Sequence, residues 1–358
     1  LTSPTHWLIR ISEVFADITE ELVEGLGGES FKQLGSGYFL VRMGGLTAPR
    51  ESEAGKFIRW NLPMHHSWPC NPEQMEGFVE KAAQAMLRKF GQQRPQAIFI
   101  GQLDPGVSNR YYKTLASNLR GRTLQLFPPA VAAFKEIEAQ DPTAPTLFCL
   151  VGKEGLFCGL QSPRACNGFY PGGTKFISQS SPDTISRAGA KIAEALHHLL
   201  LNRPLPPEGS HWLELGACPG GMTSELLARN YQVTAIDRAP LDKRLDRAPN
   251  LRFRLADVAD FQPQPGTLYD AILSDMNGEA LDAIRHVGRL SKSLTEGGLV
   301  IFTLKTPGVV TVSEINALYH AVVESAAAAG LQLFAKTHLT YNRLEFTLFF
   351  EKRAVSLA

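Results

Sequence analysis

The chain has 358 residues, 44% hydrophobic and 20% charged, with 36 Lys and Arg against 35 Asp and Glu for a formal net charge of +1. This is the profile of an ordinary soluble globular protein with room for two or three domains, and no apolar run approaches the roughly 18 residues that span a bilayer. With no basic-then-apolar leader pattern the expected location is cytoplasmic, and any nucleic-acid partner must be met by a local patch, since the whole molecule is nearly neutral.

In chain order, residues 7–11 alternate like a strand, Ile18 to Leu26 look helical before Gly27 and Gly28, and Gly37 to Met43 read as a second strand. A Gly- and Pro-containing loop from Gly44 to Gly55 leads to an apolar segment around Trp60. Residues 73–90 have helical period, Ala97 to Ile100 form a short strand, and Thr146 to Val151 with Gly155 to Leu160 form a hairpin. The N-terminal half is thus one or two α+β modules. Within it, Arg110, Lys113, Arg120 and Arg122 interleave with Tyr111 and Tyr112. Cations for phosphates beside aromatics for unstacked bases suit single-stranded RNA, although a solvated amphipathic helix gives the same count.

Five cysteines, Cys70, Cys149, Cys158, Cys166 and Cys218, contain no C-x-x-C pair and read as reduced thiols. The doublets His65-His66 and His197-His198 lack the i, i+4 spacing of a helical metal site. No metal is expected.

Gln161 to Asp183, with Pro163, Pro171, Gly172, Gly173 and Pro182, is too poor in period to be an element and reads as a linker. From Ser186 the pattern alternates. A helix (Ala188 to Leu201) precedes a strand (Trp212 to Leu215), a helix, and strands at Gln232 to Ile236, Leu251 to Leu255 and Tyr269 to Ser274. Then come a helix (Glu279 to Ser293), a strand (Leu299 to Leu304), a helix (Val312 to Ala329), and strands at Leu331 to His338 and Arg343 to Glu351. Such alternation implies a parallel sheet with right-handed crossovers. The short turn between the last two runs makes one of them antiparallel.

The stretch His211 to Asp237 carries the chemistry. An apolar run meets the turn Gly216, Ala217, Cys218, Pro219, Gly220, Gly221, then a helical pattern, then a second apolar run tipped by Asp237. In an open α/β sheet this places a ligand at the carboxyl edge, with backbone close beneath it and a carboxylate for ribose hydroxyls. The spacing is G-x-x-x-G-G, not G-x-G-x-x-G, and Pro219 stands where a pyrophosphate turn wants a free N–H. A ligand without phosphates fits better than a dinucleotide. S-adenosylmethionine suits it, with the methionine moiety over the glycines and adenosine toward the acidic tip; a plain close turn is the alternative. Asp257 is expected at the adenine amine, and Ser186 or Asp275 at the amino-acid end.

Asp237, Asp257, Asp275 and Lys305 fall at the ends of successive strands, on one sheet edge. Lys305 closes the apolar run Ile301 to Leu304, so its amine projects into a partly desolvated cleft. Burial beside a second cation is how a lysine becomes a base near neutral pH; a lysine snorkelling to water is the alternative.

Ser186-Arg187 with Lys191 opening a helix, the Leu215 to Gly221 turn, Asp275, Leu304-Lys305 and Glu345 in the final strand resemble the FtsJ-like ribose 2′-O-methyltransferases. Asn167 to Tyr170, Lys175-Phe176 and Ser186-Arg187 are similar to the linker of the bacterial 23S ribosomal RNA cytidine 2′-O-methyltransferase family. The resemblance implies a Rossmann-like S-adenosylmethionine-dependent α/β methyltransferase domain at 186–358 with an antiparallel terminal strand. It also implies a ferredoxin-like α+β module at 1–64, a THUMP-like RNA-binding module at 65–162 and a linker at 163–185. It further implies a catalytic tetrad of Lys191, Asp275, Lys305 and Glu345, with Lys305 as base, and 23S ribosomal RNA as partner before or during ribosome assembly. The chain departs from the family at Met222, where Trp is frequent, and at Leu344, where close relatives carry a second acid. A methyltransferase acting on a protein or small molecule shares the turn and Asp237 without needing Lys191, Lys305 and Glu345 together. A non-catalytic RNA-binding assembly factor needs only the N-terminal modules.

Overall fold

The computed structural model describes residues 5–44, 48–70, 75–103, 110–128, 139–178, 184–306, 308 and 311–353. It divides into two units, Leu1–Lys175 and Phe176–Ala358. The N-terminal unit begins with β1 (His6–Ile11), α1 (Thr19–Gly25), β2 (Gly28–Gly35), β3 (Tyr38–Met43) and β4 (Ile58–Pro63), an antiparallel sheet in the order β2-β3-β1-β4. β1 lies inside that sheet, so Trp7, Leu8 and Ile9 are all buried and its two faces are both apolar. Between β3 and β4 two short 3-10 turns, Pro49–Glu51 and Glu53–Phe57, stand where a ferredoxin-like module has its second helix.

A second sheet follows from β5 (His66–Trp68), α2 (Met75–Phe90), β6 (Ala97–Gln102), α3 (Arg110–Leu126), β7 (Thr146–Gly152) and β8 (Gly155–Gln161), in the order β5-β8-β7-β6. One of its faces packs on α2 and α3 through Ala83, Met86, Phe90, Leu115 and Leu119. The other shares a core with the first sheet, where Trp60, Leu62 and Leu8 meet Phe99, Phe148 and Phe157. The expected modules 1–64 and 65–162 are therefore two sheets around one core.

The linker expectation is corrected over residues 163–175. A short helix, α4 (Pro163–Cys166), is capped by Ser162, and Cys166 and Phe169 are fully buried. Asn61 Nδ2 donates to the Ala165 carbonyl at 2.9 Å, Asn167 Nδ2 to the Arg59 carbonyl at 2.8 Å, and Arg10 to the Gly172 carbonyl at 2.7 Å. Prolines and glycines remove helical period, but side-chain bonds from remote strands fasten the segment. Residues 179–183, also expected in the linker, lie outside the described residues.

The C-terminal unit runs α5 (Ala188–Leu199), β9 (His211–Leu215), α6 (Gly221–Leu227), β10 (Gln232–Asp237), β11 (Leu251–Leu255), β12 (Tyr269–Ser274), α7 (Ala280–Leu290), β13 (Leu294–Lys305), α8 (Val312–Ala328), β14 (Leu331–Thr337) and β15 (Glu345–Lys352). The seven strands form one sheet, β11-β10-β9-β12-β13-β15-β14. β9 to β13 pair in parallel, while β15 inserts antiparallel to both neighbours. This is the Rossmann-like α/β sheet with an antiparallel terminal strand. α5 and α6 pack Leu196, Leu199, Met222 and Leu226 on Trp212, Val233 and Ala271. α7 and α8 pack on each other, α7 also against β12 and β13, and α8 against β14. Among the described residues no helix is long and apolar enough to cross a membrane.

Candidate active site

Parallel strands deliver their last residues to one edge of the sheet, and ligands collect there. Gly216 follows β9, Asp237 ends β10, Asp257 lies just past β11, Asp275 just past β12, and Lys305 ends β13. β15 runs the other way, so its first residue reaches the same edge: Glu345 stands opposite Lys305 in register.

These residues meet. Lys191, in the first turn of α5, places Nζ 3.1 Å from Asp275 Oδ2 and 2.6 Å from Glu345 Oε1. Lys305 Nζ lies 3.3 Å from Asp275 Oδ1, and donates to the Asp275 carbonyl at 3.1 Å and to Asn277 Oδ1 at 2.7 Å. Asp275 thus bridges two lysines. Burial alone would lower the Lys191 ammonium, but Asp275 and Glu345 outweigh it and hold its pKa above the ordinary lysine value. Lys191 is therefore a fixed cation, whereas Lys305 faces the cavity described next.

That cavity, of about 450 Å³, is lined by Gly216, Ala217, Cys218, Pro219, Gly221, Asp237, Asp257, Asp275 and Lys305 among others. Gly216 takes φ +80°, and a Cβ there would press 3.0 Å from Met276 Cα. A glycine takes that conformation without strain and leaves room for the Met276 backbone. Gly221 serves a different need, because a Cβ on it would strike Ser186 Oγ at 2.1 Å and crowd the start of α5. Its absence lets α5 approach and carry Lys191 to Asp275. Asp237 accepts from the Cys218 and Ala239 amides, each at 2.8 Å, which ties the turn to the strand tip. Asp257 accepts from the Ala259 amide at 2.9 Å and faces Arg238 at 3.7 Å. Ser186 and Gly220 do not line the cavity: Ser186 Oγ accepts from the Ala188 amide at 3.3 Å, and Gly220, at φ +106°, caps α6. Cys218 is exposed, and the other four cysteines are buried and free.

Glu214 and Asn277 are among the lining residues that the sequence did not mark as part of the site. Glu214 is 2% exposed within β9 and accepts from Thr223 Oγ1 at 2.7 Å. Burial pushes its carboxyl up to about 8, with Asp275 and Asp237 acting in the same direction against the Thr223 hydrogen bond. A charged type inside the run Trp212 to Leu215 was the available signal. Asn277, exposed in the turn after Asp275, holds the Lys305 amine, and nothing in its spacing marks it. Among the described residues no group of His, Cys, Asp and Glu is arranged to hold a metal ion.

In the N-terminal unit the basic run forms α3, and the four-cation strip is reduced. Arg122 is spent on Glu80 at 2.6 Å, and the Arg120 guanidinium lies over the Phe99 ring at 5.8 Å. Tyr111 and Tyr112 pack against the core. Arg110 and Lys113 are exposed. The amphipathic period that suggested a binding face also buries its aromatics.

Residues 184–340 match the model of the FtsJ-like methyltransferase family. Curated relatives named ribosomal RNA large subunit methyltransferase M include one from Shewanella loihica, 26% identical over 245 residues, 66% of this chain and 66% of the relative. Another, from Halorhodospira halophila, is 31% identical over 172 residues, 47% of this chain and 48% of the relative. The chain thus spans about half to just under two thirds of these relatives' length. Similar solved structures include TrmN from Thermus thermophilus, at 17% identity, covering 98% of this chain and 100% of that one with a TM-score of 0.39. A second is Aeropyrum pernix fibrillarin with bound S-adenosylmethionine, at 15% identity, 60% and 85% coverage and a TM-score of 0.37.

Proposed function

From the FtsJ-like methyltransferase domain that this chain carries over residues 184–340, we propose that the protein methylates a ribose 2′-hydroxyl of RNA. The target is a cytidine of 23S ribosomal RNA, reached in the cytoplasm before or during ribosome assembly. The observation that carries the reading is the contact of Lys191, Asp275, Lys305 and Glu345 beside a glycine-floored cavity. The names of the curated relatives support the ribosomal substrate.

The open backbone at Gly216 and the carboxylate of Asp237 suit S-adenosylmethionine, which when bound supplies an electrophilic methyl group. Gly216 to Pro219 with Gly221 hold the methionine part, Asp237 the ribose hydroxyls and Asp257 the adenine amine. A ribose hydroxyl is far from ionised at neutral pH, so its proton must leave as the oxygen becomes a nucleophile. Lys305, at the cavity wall, takes that proton, a role worth about 10²–10⁴-fold. With Lys305 neutral the four-residue cluster carries one net negative charge, and proton uptake restores neutrality. Lys191, fixed as a cation by Asp275 and Glu345, favours the developing alkoxide and keeps Asp275 aimed at Lys305. The ferredoxin-like and THUMP-like sheets of the N-terminal unit hold RNA, with Arg110 and Lys113 on its exposed surface.

The test is tritiated methyl transfer from S-adenosylmethionine to total RNA from a strain lacking the gene, comparing wild type with Lys305→Ala. Label in large-subunit RNA at an alkali-resistant linkage, lost in the variant, is the expected result. Cofactor binding without transfer to RNA would redirect the reading to protein or small-molecule acceptors.

A further inference from the structure

Between Arg238 and Arg254 the sequence holds six cations, Arg238, Lys243, Arg244, Arg247, Arg252 and Arg254, against Asp242 and Asp246. That is a surplus of four in a chain whose total is +1. Arg244 is answered by Asp242 at 2.8 Å and Arg238 loosely by Asp257 at 3.7 Å. Lys243, Arg247, Arg252 and Arg254 are exposed and make no ion pair among the described residues.

Their placement follows from the strand. β11 is the outermost strand of the sheet and pairs only with β10. Leu251 and Phe253 face the core, so Arg252 and Arg254 share the opposite face. Two residues along a strand span roughly 6–7 Å, comparable to the separation of successive phosphates in an extended single strand. The strip is continuous with the site, since Leu255 is in register with Asp237 and Arg238 lines the cavity. The charge of Arg252 reaches the neighbouring strands: after burial, it is the next cause holding His211 below its ordinary pKa. Charge on an edge strand blocks strand addition, but either sign does that, and one uncompensated sign is not required.

We infer that the outer face of β11, with the turn before it, is a track for the sugar-phosphate backbone of the RNA substrate, with Arg252 and Arg254 on successive phosphates. This rests on the RNA reading above.

The experiment measures binding of a labelled single-stranded oligoribonucleotide to the full chain by fluorescence anisotropy over a series of salt concentrations. Arg252→Gln with Arg254→Gln should bind about tenfold more weakly at about 0.15 M salt. Its plot of log affinity against log salt should be shallower by about 1.4, for two contacts at about 0.7 each. Cofactor affinity should not change, which checks the fold, and Arg252→Lys with Arg254→Lys should keep the wild-type slope. At limiting RNA the Gln variant should lose methyl transfer, and at saturating RNA it should recover it. Unchanged affinity and slope overturn the track even if methyl transfer to RNA is intact. Wild-type protein that binds cofactor yet methylates no RNA overturns the RNA reading and takes the track with it.

Discussion

The two halves of the C-terminal sheet edge treat carboxylates in opposite ways. Over β9 and β10 the acids meet neutral partners: Glu214 a threonine hydroxyl, and Asp237 two backbone amides. Over β12, β13 and β15 they meet ammonium groups, with Asp275 between Lys191 and Lys305 and Glu345 on Lys191. Burial without a counterion pushes the Glu214 carboxyl up to about 8, whereas the less deeply buried Asp275 and Glu345 are each answered by an ammonium group. Under the proposed function the first half holds the cofactor through fixed dipoles and the second moves a proton.

Breaking the second half should have the largest effect. Lys305→Ala should lower kcat by about 10²–10⁴-fold while sparing cofactor affinity; isothermal titration beside single-turnover methyl transfer checks both. In the first half, the folded pKa of Glu214 is raised from 4.5 to about 8. Its contribution to stability is therefore fully present below the unfolded value and lost as pH rises through about 8. Urea unfolding at pH 5 and pH 8 should show wild type losing on the order of a few kcal/mol that Glu214→Gln does not lose. Parallel curves for the two proteins would refute the protonated state. Asp237→Ala should weaken cofactor binding by about 10–100-fold, the cost of a charged hydrogen bond, with kcat at saturation nearly kept; unchanged affinity would remove the ribose assignment. The smallest effect belongs to Asn277→Ala, one of three acceptors on the Lys305 amine, with kcat down about three- to tenfold.

The sequence carried more of the second half than of the first. Asp275 and Lys305 are legible because each falls at a strand end, where period breaks and a charged residue stands out, whereas Lys191 and Glu345 are named only through the resemblance to the FtsJ-like family. Glu214 is hidden because a residue inside a strand is judged by its apolar neighbours, and a buried carboxyl kept neutral leaves no spacing signal. The same limit applies in the N-terminal unit. β2 is exposed along most of its length and shows no alternation, and the Arg122 bond to Glu80 joins residues on two helices that only tertiary packing brings together. Residues 163–175 read as a linker because their fastening bonds come from Arg10, Asn61 and the Arg59 carbonyl, far away in the chain.

The reversed direction of β15 has a consequence for the order of synthesis. Its first residue, Glu345, completes the lysine-carboxylate cluster, and the strand must slot between β13 and β14, both made earlier. A nascent chain that has emerged only as far as β14 already contains the glycine turn, Asp237, Asp275 and Lys305, yet lacks the second acid that steadies Lys191. Premature termination there would yield a product with the glycine turn, Asp237, Asp275 and both lysines but without the Glu345 contact to Lys191.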